Sequence, residues 1–76
     1  MNNIEPQIGW YLYYISKHKE NYCIAKIDEI DKGEGVVYAT IISGNTLIKG
    51  IRCGFYIDNI IIAETLEQIN KILIFQ

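Results

Sequence analysis

The sequence predicts a mostly β protein, a small antiparallel meander curled into a barrel and followed by a short C-terminal helix. The first observation is composition: half of the 76 residues are apolar, and 17 of them are isoleucine. β-branched and aromatic side chains fit a pleated sheet better than a helix. The second observation is that short apolar segments alternate with polar or glycine-containing turns, which is typical of consecutive hairpins. A chain of this length is enough for one domain.

The first two strands are predicted at residues 10–15 and 22–30, after an N-terminal arm over residues 1–9. The segment 17–21 is polar and of hairpin length. Residues 31–35 contain two glycines within a polar cluster and predict a second turn. The single domain is therefore assigned to residues 10–76.

The third strand is predicted at residues 36–43, with Gly44 and Asn45 as a two-residue turn. A fourth strand follows over residues 46–51. Gly50 and Gly54 flank a region where a small barrel can bend, because glycine inside a strand often marks a bulge. Residues 55–57 are interpreted as a short fifth strand or a loop anchor.

The C-terminal segment has a helical pattern. Thr65 and Gln68 match a capping box, and Leu66, Ile69 and Leu73 recur at helical spacing. We therefore expect a helix over residues 66–73. The apolar run at 60–63 is interpreted either as a last strand or as the segment that leads into the helix.

In strand number and turn spacing, residues 10–63 resemble an SH3-like barrel, although no diagnostic motif carries the resemblance. An α+β arrangement, in which a curled sheet packs against the helix, is the alternative.

Charge and hydropathy limit the possible partners. The formal net charge is -2, with seven basic and nine acidic residues. Proteins that bind nucleic acid through phosphates usually carry a basic face, so non-specific binding of this kind is not expected. The N-terminus lacks the features of a signal peptide, and no apolar run is long enough to span a membrane. We therefore expect a soluble, cytoplasmic protein.

The residues that could carry chemistry are few. His18 lies between two lysines in a predicted turn, and Cys23 alternates towards the core, so a Cys-His pair is not expected. Cys23 and Cys53 are interpreted as reduced thiols. Zinc needs three or four Cys or His ligands, and the sequence contains three such residues in all, with no Cys-x-x-Cys pair, so a zinc site is not expected. The acidic run at 28–34 lacks the spacing of a calcium loop. The sequence thus predicts no enzyme activity, no metal site and no cofactor.

The remaining feature is aromatic. If Trp10 and Leu12 face the core, strand alternation turns a second set of apolar side chains to the opposite face. This predicted binding surface consists of Tyr11, Tyr13, Tyr22, Ile24, Tyr38 and Ile42, with Lys17, Lys19 and Arg52 as neighbouring basic residues. Three interpretations remain open: the helix covers this face, the face binds protein, or its tyrosines stack on single-stranded nucleic acid.

From these features we expect a non-enzymatic binding module that acts through protein–protein contacts. It would be a homodimer, or a bacterial, phage or mobile-element inhibitor of a host factor. A nucleic-acid-binding barrel that uses tyrosine stacking is the alternative. The predicted strand at 46–51, which carries Lys49 as its only charge, is a second possible docking element because an edge strand can accept a partner strand.

Overall fold

The computed structural model describes residues 5–18, 20–45 and 49–74 and shows one antiparallel sheet with one α-helix. The sheet has five strands in the order β4-β3-β2-β1-β5. The prediction of a mostly β protein with a late helix is confirmed. The elements are β1 Tyr11–Ile15, β2 Tyr22–Asp31, β3 Val36–Gly44, β4 Arg52–Tyr56, a 3-10 turn Ile57–Asn59, β5 Ile60–Ala63 and α1 Leu66–Ile74.

The sheet is open but strongly coiled. Strands β4 and β5 form opposite edges of the sheet, yet only the 3-10 turn separates Tyr56 from Ile60. Four residue steps span at most about 14 Å. The edge strands of a flat five-stranded sheet would lie about 19 Å apart. The sheet must therefore curl to bring these strand ends together, although no hydrogen-bonded pairing of β4 with β5 closes it into a barrel within the described residues.

The inner face of this curl holds the main core. Leu12 of β1 is fully buried there, with Trp10 and Tyr14 packed beside it, as the predicted alternation requires. Cys23, which strand alternation directs towards the core, is buried in the same cluster. The buried members of this core are Leu12, Cys23, Ala25, Ile27, Val37, Ala39, Ile41 and Phe55.

Two glycines start strands in the same way. Gly9 has a φ of 93° and Gly50 a φ of 88°. The Gly9 N–H donates to the Ile27 carbonyl, and the Ile27 N–H donates to the carbonyl of the residue after Gly9. Gly50 and Ile41 make the same pair of hydrogen bonds, with the residue after Gly50 as the acceptor of the second bond. Two residues thus face one, which is a glycine β-bulge. The end of the predicted N-terminal arm is therefore hydrogen-bonded to β2.

The prediction of a fourth strand at 46–51 is wrong over its described part. Residues 49 and 50 form a turn, and β4 begins only at Arg52, after the bulge at Gly50; residues 46–48 lie outside the described residues. The predicted two-residue turn is wrong as well. Gly44 belongs to β3, and the Asn45 side chain bonds across to the first hairpin: its Oδ1 accepts the Tyr22 N–H at 2.9 Å.

The C-terminal helix is confirmed, and so is its N-terminal cap. Thr65 Oγ1 accepts the Gln68 N–H at 3.2 Å. The Gln68 side chain accepts the Glu64 N–H at 2.8 Å, one residue before the partner of a standard capping box. Residues 60–63 form strand β5, so the interpretation of this run as a last strand is confirmed. Within the described part of the chain, no helix has the length and apolar character to cross a membrane.

Candidate binding surface

The helix covers one half of the outer face, which is the face that carries Tyr13. Tyr13 is 4% exposed and Ile24 is 5% exposed, and both pack with Ala63 and the fully buried Ile69 of the helix. The interpretation in which the helix covers the aromatic face is confirmed for this half. Tyr13 and Ile24 therefore cannot belong to an exposed binding surface, because the helix supplies the apolar cover that alternation alone does not reveal.

The other predicted residues near the helix are only partly accessible. Tyr11 packs against the same cluster. Tyr22 is 37% exposed, and its ring centroid lies 6.2 Å from that of Tyr13. Burial, and secondly the neighbouring Tyr22, raise the pKa of Tyr13. Lys17 is exposed in the first hairpin connection, while Lys19 lies outside the described residues.

The other half of the outer face is built around Arg52, the first residue of β4. Its Nε donates to Asp28 Oδ1 at 2.9 Å, and its Nη2 donates to Glu29 Oε1 at 2.6 Å. Its guanidinium carbon lies 4.9 Å from the ring centroid of Tyr38. The Thr40 hydroxyl donates to Asp28 Oδ2 at 3.2 Å. The hydrogen bonds to Asp28 and then to Glu29 raise the pKa of Arg52. The side chain is an ion-paired cation that also contacts the Tyr38 ring.

A β-bulge in β2 allows both carboxylates to bind Arg52. Successive strand residues normally point to opposite faces, so Asp28 and Glu29 would not both reach Arg52. The pairing of β2 with β3 shifts register between Ile27 and Glu29. This leaves Asp28 as the extra residue and lets both carboxylates bind the same guanidinium.

Among the residues that the structure describes, β4 pairs with a strand on one side only. At the two ends of its pairing with β3, Ile51 C=O accepts the Ile41 N–H and Ile57 N–H donates to Gly35 C=O, each at 2.9 Å. Hydrogen-bonded positions alternate in an antiparallel ladder, so Cys53 and Phe55 also face β3. The N–H and C=O groups of Arg52, Gly54 and Tyr56 therefore point away from the sheet. We call this row the β4 edge.

The side chains of the β4 edge are accessible. Arg52, Gly54 and Tyr56 are all exposed, and Tyr56 is 65% exposed. Gly54 and Tyr56 were not among the sequence-predicted site residues, and neither were Asp28 and Glu29. The period-2 pattern places Tyr56 and Arg52 on one face, but only the pairing of β4 shows that they border an open edge.

The opposite edge of the sheet is partly closed by local contacts. By the same alternation, Ile60 and Ile62 of β5 point away from β1. The Ile60 N–H already bonds to Ile57 C=O, and the Glu64 N–H bonds to the Gln68 side chain. Ile62 is therefore the only β5 residue whose outward N–H and C=O groups are both outside these hydrogen bonds. The edge of β5 is thus shorter than the edge of β4.

The thiols and the histidine lie outside this surface. Cys23 is buried in the inner core, where desolvation, and secondly Cys53, raise its pKa to about 11. Cys53 is also a free thiol and packs against the same core. His18 is exposed in the first hairpin connection. Among the described residues, no group of three His, Cys, Asp or Glu side chains is arranged to hold a metal ion.

Comparison of the chain with known proteins found no matching family model, no matching curated protein and no matching solved structure.

Proposed function

We propose that this chain is a non-enzymatic binding module that takes up an extended segment of another polypeptide along the β4 edge. The observation that carries the proposal is the phase of the β4 ladder, which directs the backbone groups of Arg52, Gly54 and Tyr56 outward. An added strand can satisfy these groups with main-chain hydrogen bonds, while side chains beside the edge select the sequence.

The side chains around the edge favour a protein ligand. Tyr56 offers a large exposed ring beside the edge. Arg52 begins at the edge, and its guanidinium lies over Tyr38 and binds Asp28 and Glu29, so its aliphatic stem, and not its charge, borders the edge. Tyrosine and arginine are enriched where proteins bind proteins. Nucleic-acid stacking has less support, because Tyr13 is buried and the charge of Arg52 is already paired.

The proposed site differs from the edge expected from the sequence. Docking at residues 46–51 is replaced by docking at Arg52–Tyr56, because the described part of that earlier segment is a turn. A five-stranded coiled sheet whose last strand returns to pair with the first supports an SH3-like barrel as the architecture. A module that only occupies its partner also suits the role of a stoichiometric inhibitor of a host factor.

A peptide-display selection tests the proposal. A library of random linear peptides is selected on the wild-type chain, and each binder is then measured against Gly54→Pro. Proline removes an N–H that points away from the sheet, so the edge loses a donor while the ladder to β3 is retained. Its Cβ also meets the Tyr38 ring, so Gly54→Ala, which adds a Cβ and keeps the N–H, is the matched control and should bind the same peptides. We expect peptides whose affinity falls at least about tenfold in Gly54→Pro, since strand addition depends on those backbone bonds.

Two controls make the outcome decisive. Circular dichroism and urea unfolding must show that Gly54→Pro is folded; if it is not, Tyr56→Lys replaces it, because lysine on an exposed edge opposes strand addition. Binders that ignore both variants would place the site elsewhere. Salt-sensitive binding of labelled single-stranded DNA or RNA, unchanged in the variants, would favour the nucleic-acid alternative.

A further inference from the structure

We infer that the segment bound at the β4 edge is an amphipathic strand of another protein, with two apolar side chains that lie two residues apart and face the inside of the coiled sheet. This inference rests on the proposed function, since it needs an edge that accepts a strand. It adds the chemical class of the ligand and the residues of this chain that select it.

One row of directly opposed residues crosses the inner face of the sheet from edge to edge. Leu12 of β1 pairs with Ile62 of β5 on one side and with Ala25 of β2 on the other. Ala25 pairs with Ile41 of β3, and the Ile41 N–H donates to the Ile51 carbonyl at the start of β4. Directly opposed residues point to the same face of a sheet, so all five side chains lie on the inner face.

The two ends of this inner row are accessible, whereas its middle is not. The three middle residues are at most 1% exposed. Ile51 is 47% exposed, and Ile62 is only partly buried. Both end residues lie on edge strands, so within the described part of the chain no further strand continues the row past them. The apolar inner face is therefore uncovered along the same strand, β4, whose backbone groups point outward.

The exposure of the inner face changes along β4. Phe55 is 7% exposed, Cys53 is partly buried, and Ile51 is 47% exposed. At the Phe55 end the 3-10 turn joins β4 to β5, and the Phe55 ring centroid lies 5.7 Å from that of Tyr14 on β1, so the coil is closed there. At the Ile51 end it is open. We call the opening beside Ile51 and Cys53, with Ile62 on its other border, the β4–β5 seam.

A strand added to β4 presents its side chains to this seam in a fixed phase. Ligand residues that bond to the backbones of Arg52 and Gly54 lie opposite them and point to the outer face. The ligand residues opposite Ile51 and Cys53 then point to the inner face. In an antiparallel pair these are the non-hydrogen-bonded positions, where opposed Cα atoms lie about 4.5 Å apart and side chains are closest. Two inward side chains of the ligand therefore contact Ile51 and Cys53.

The surroundings of these two inward positions are apolar. Cys53 packs against the inner core, and Ile51 continues the inner row from Ile41. The charged groups of the neighbouring strands, including the guanidinium of Arg52, lie on the other face of the sheet. A polar ligand side chain turned inward would lose contact with water beside hydrocarbon, whereas valine, isoleucine, leucine or phenylalanine would bury apolar area against Ile51. The ligand pattern is therefore apolar, variable, apolar.

A single strand fits the seam better than the edge of a second sheet. In β4 of a second copy, the side chains that could cover Ile51 are those of Cys53 and Phe55, which already pack into that copy's own core. A segment that is extended but belongs to no sheet has its apolar side chains free to enter the seam. The occupant is therefore an extended segment of another protein.

The peptides selected on the wild-type chain test the ligand pattern. They should share two apolar residues separated by one variable residue. In fluorescence anisotropy titrations of labelled peptides, serine at either apolar position should weaken binding at least about tenfold, because each position loses a buried apolar side chain. Serine at the variable position should weaken it less than about threefold.

Variants of the chain test the seam itself. Ile51→Ser should weaken the same peptides at least about tenfold, and Ile51→Val less than about threefold. Ile8→Ser, at a side chain 68% exposed on the N-terminal segment, is the matched control and should bind as wild type. If circular dichroism shows that Ile51→Ser is not folded, Ile51→Ala replaces it. In a double-mutant cycle, the Ile51 variant and serine at an apolar peptide position should together cost less than the sum of their separate effects.

The outcomes separate the two proposals. Peptides that lose affinity in Gly54→Pro but lack the apolar pair and tolerate the Ile51 variant overturn this inference and leave strand addition in place. If no selected peptide loses affinity in Gly54→Pro, or in its replacement Tyr56→Lys, both proposals fall. Light scattering adds one further outcome: a wild type that doubles its mass of 8.8 kDa, while Ile51→Ser does not, would assign the seam to a second copy and overturn the inference.

Discussion

The ring of Tyr38 lies against Gly54 on the neighbouring strand, so closely that a Cβ at Gly54 would be 3.1 Å from the ring Cε1. The two residues are directly opposed in the β3–β4 pairing. Arg52 also contacts the Tyr38 ring, through its guanidinium. Because residue 54 is glycine, the Tyr38 ring can lie where the Arg52 guanidinium contacts it. Arg52 in turn connects the edge strand to the two carboxylates on β2.

Gly54→Ala tests this relationship. The added methyl group must displace the Tyr38 ring, so we expect the free energy of unfolding to fall by about 1 kcal/mol. In a chain that already carries Tyr38→Ala, the same change should cost much less, because no ring has to move. A double-mutant cycle by urea denaturation measures this coupling. Equal losses in both backgrounds would show that the Tyr38 contact does not constrain position 54.

Gly44→Ala should destabilise the fold far more. Gly44 has a φ of 150°, and a Cβ there would lie 2.5 Å from the Tyr22 carbonyl oxygen. Backbone strain and overpacking together predict a loss of about 2–4 kcal/mol in the free energy of unfolding. Gly33→Ala is the matched control, because its Cβ would meet only Asp31 Oδ1 at 3.5 Å. Thermal or urea unfolding of the two variants measures the difference, and similar losses would contradict the close approach at Gly44.

Ile69→Ala tests the cover that the helix provides. Ile69 is fully buried between the helix and the Tyr13 half of the outer face. Removing its side chain should cost about 2–4 kcal/mol and loosen the helix. Binding of a hydrophobic dye should rise as Tyr13 and Ile24 become accessible. Leu66→Ala, at a helix residue 38% exposed, should cost under about 1 kcal/mol and leave dye binding unchanged; an equal response of both variants would argue against a covering role for Ile69.

The buried thiol of Cys23 should be slow to react. Its side chain is 1% exposed, and burial is the main reason that its pKa rises from 9.0 to about 11. In Cys53→Ser, whose only thiol is Cys23, a thiol reagent at pH 8 should react only as fast as the chain opens. In Cys23→Ala, the partly exposed Cys53 should react faster. Faster labelling of Cys23 than of Cys53 would contradict its burial.

The same thiol makes stability fall at alkaline pH. Between about pH 9 and about pH 11 the unfolded thiol has lost its proton while the folded thiol keeps it. The unfolded state then binds fewer protons, so the free energy of unfolding decreases as pH rises through this window. Below this window the protonated thiol stabilises the folded state fully. Urea unfolding from pH 8 to pH 11 should show a smaller decline in Cys23→Ala than in wild type.

The sequence by itself determined the local features of the fold. Period-2 alternation placed Trp10 and Leu12 on the inner face and Tyr13 on the outer face, as the structure has them. The spacing of Thr65 and Gln68 located the start of the helix. These predictions succeeded because strand alternation and helix capping depend only on residues a few positions apart.

Only the tertiary structure decided which surfaces are covered and which are free. The helix buries Tyr13 and Ile24, while Tyr38 and Arg52 stay on the uncovered half. A bulge at Asp28 sets the ion pairs of Arg52, and β4 pairs on one side only within the described part of the chain. Each of these depends on segments distant in the chain meeting in one register. Coverage and edges are properties of how strands and helix assemble, and a local pattern does not contain them.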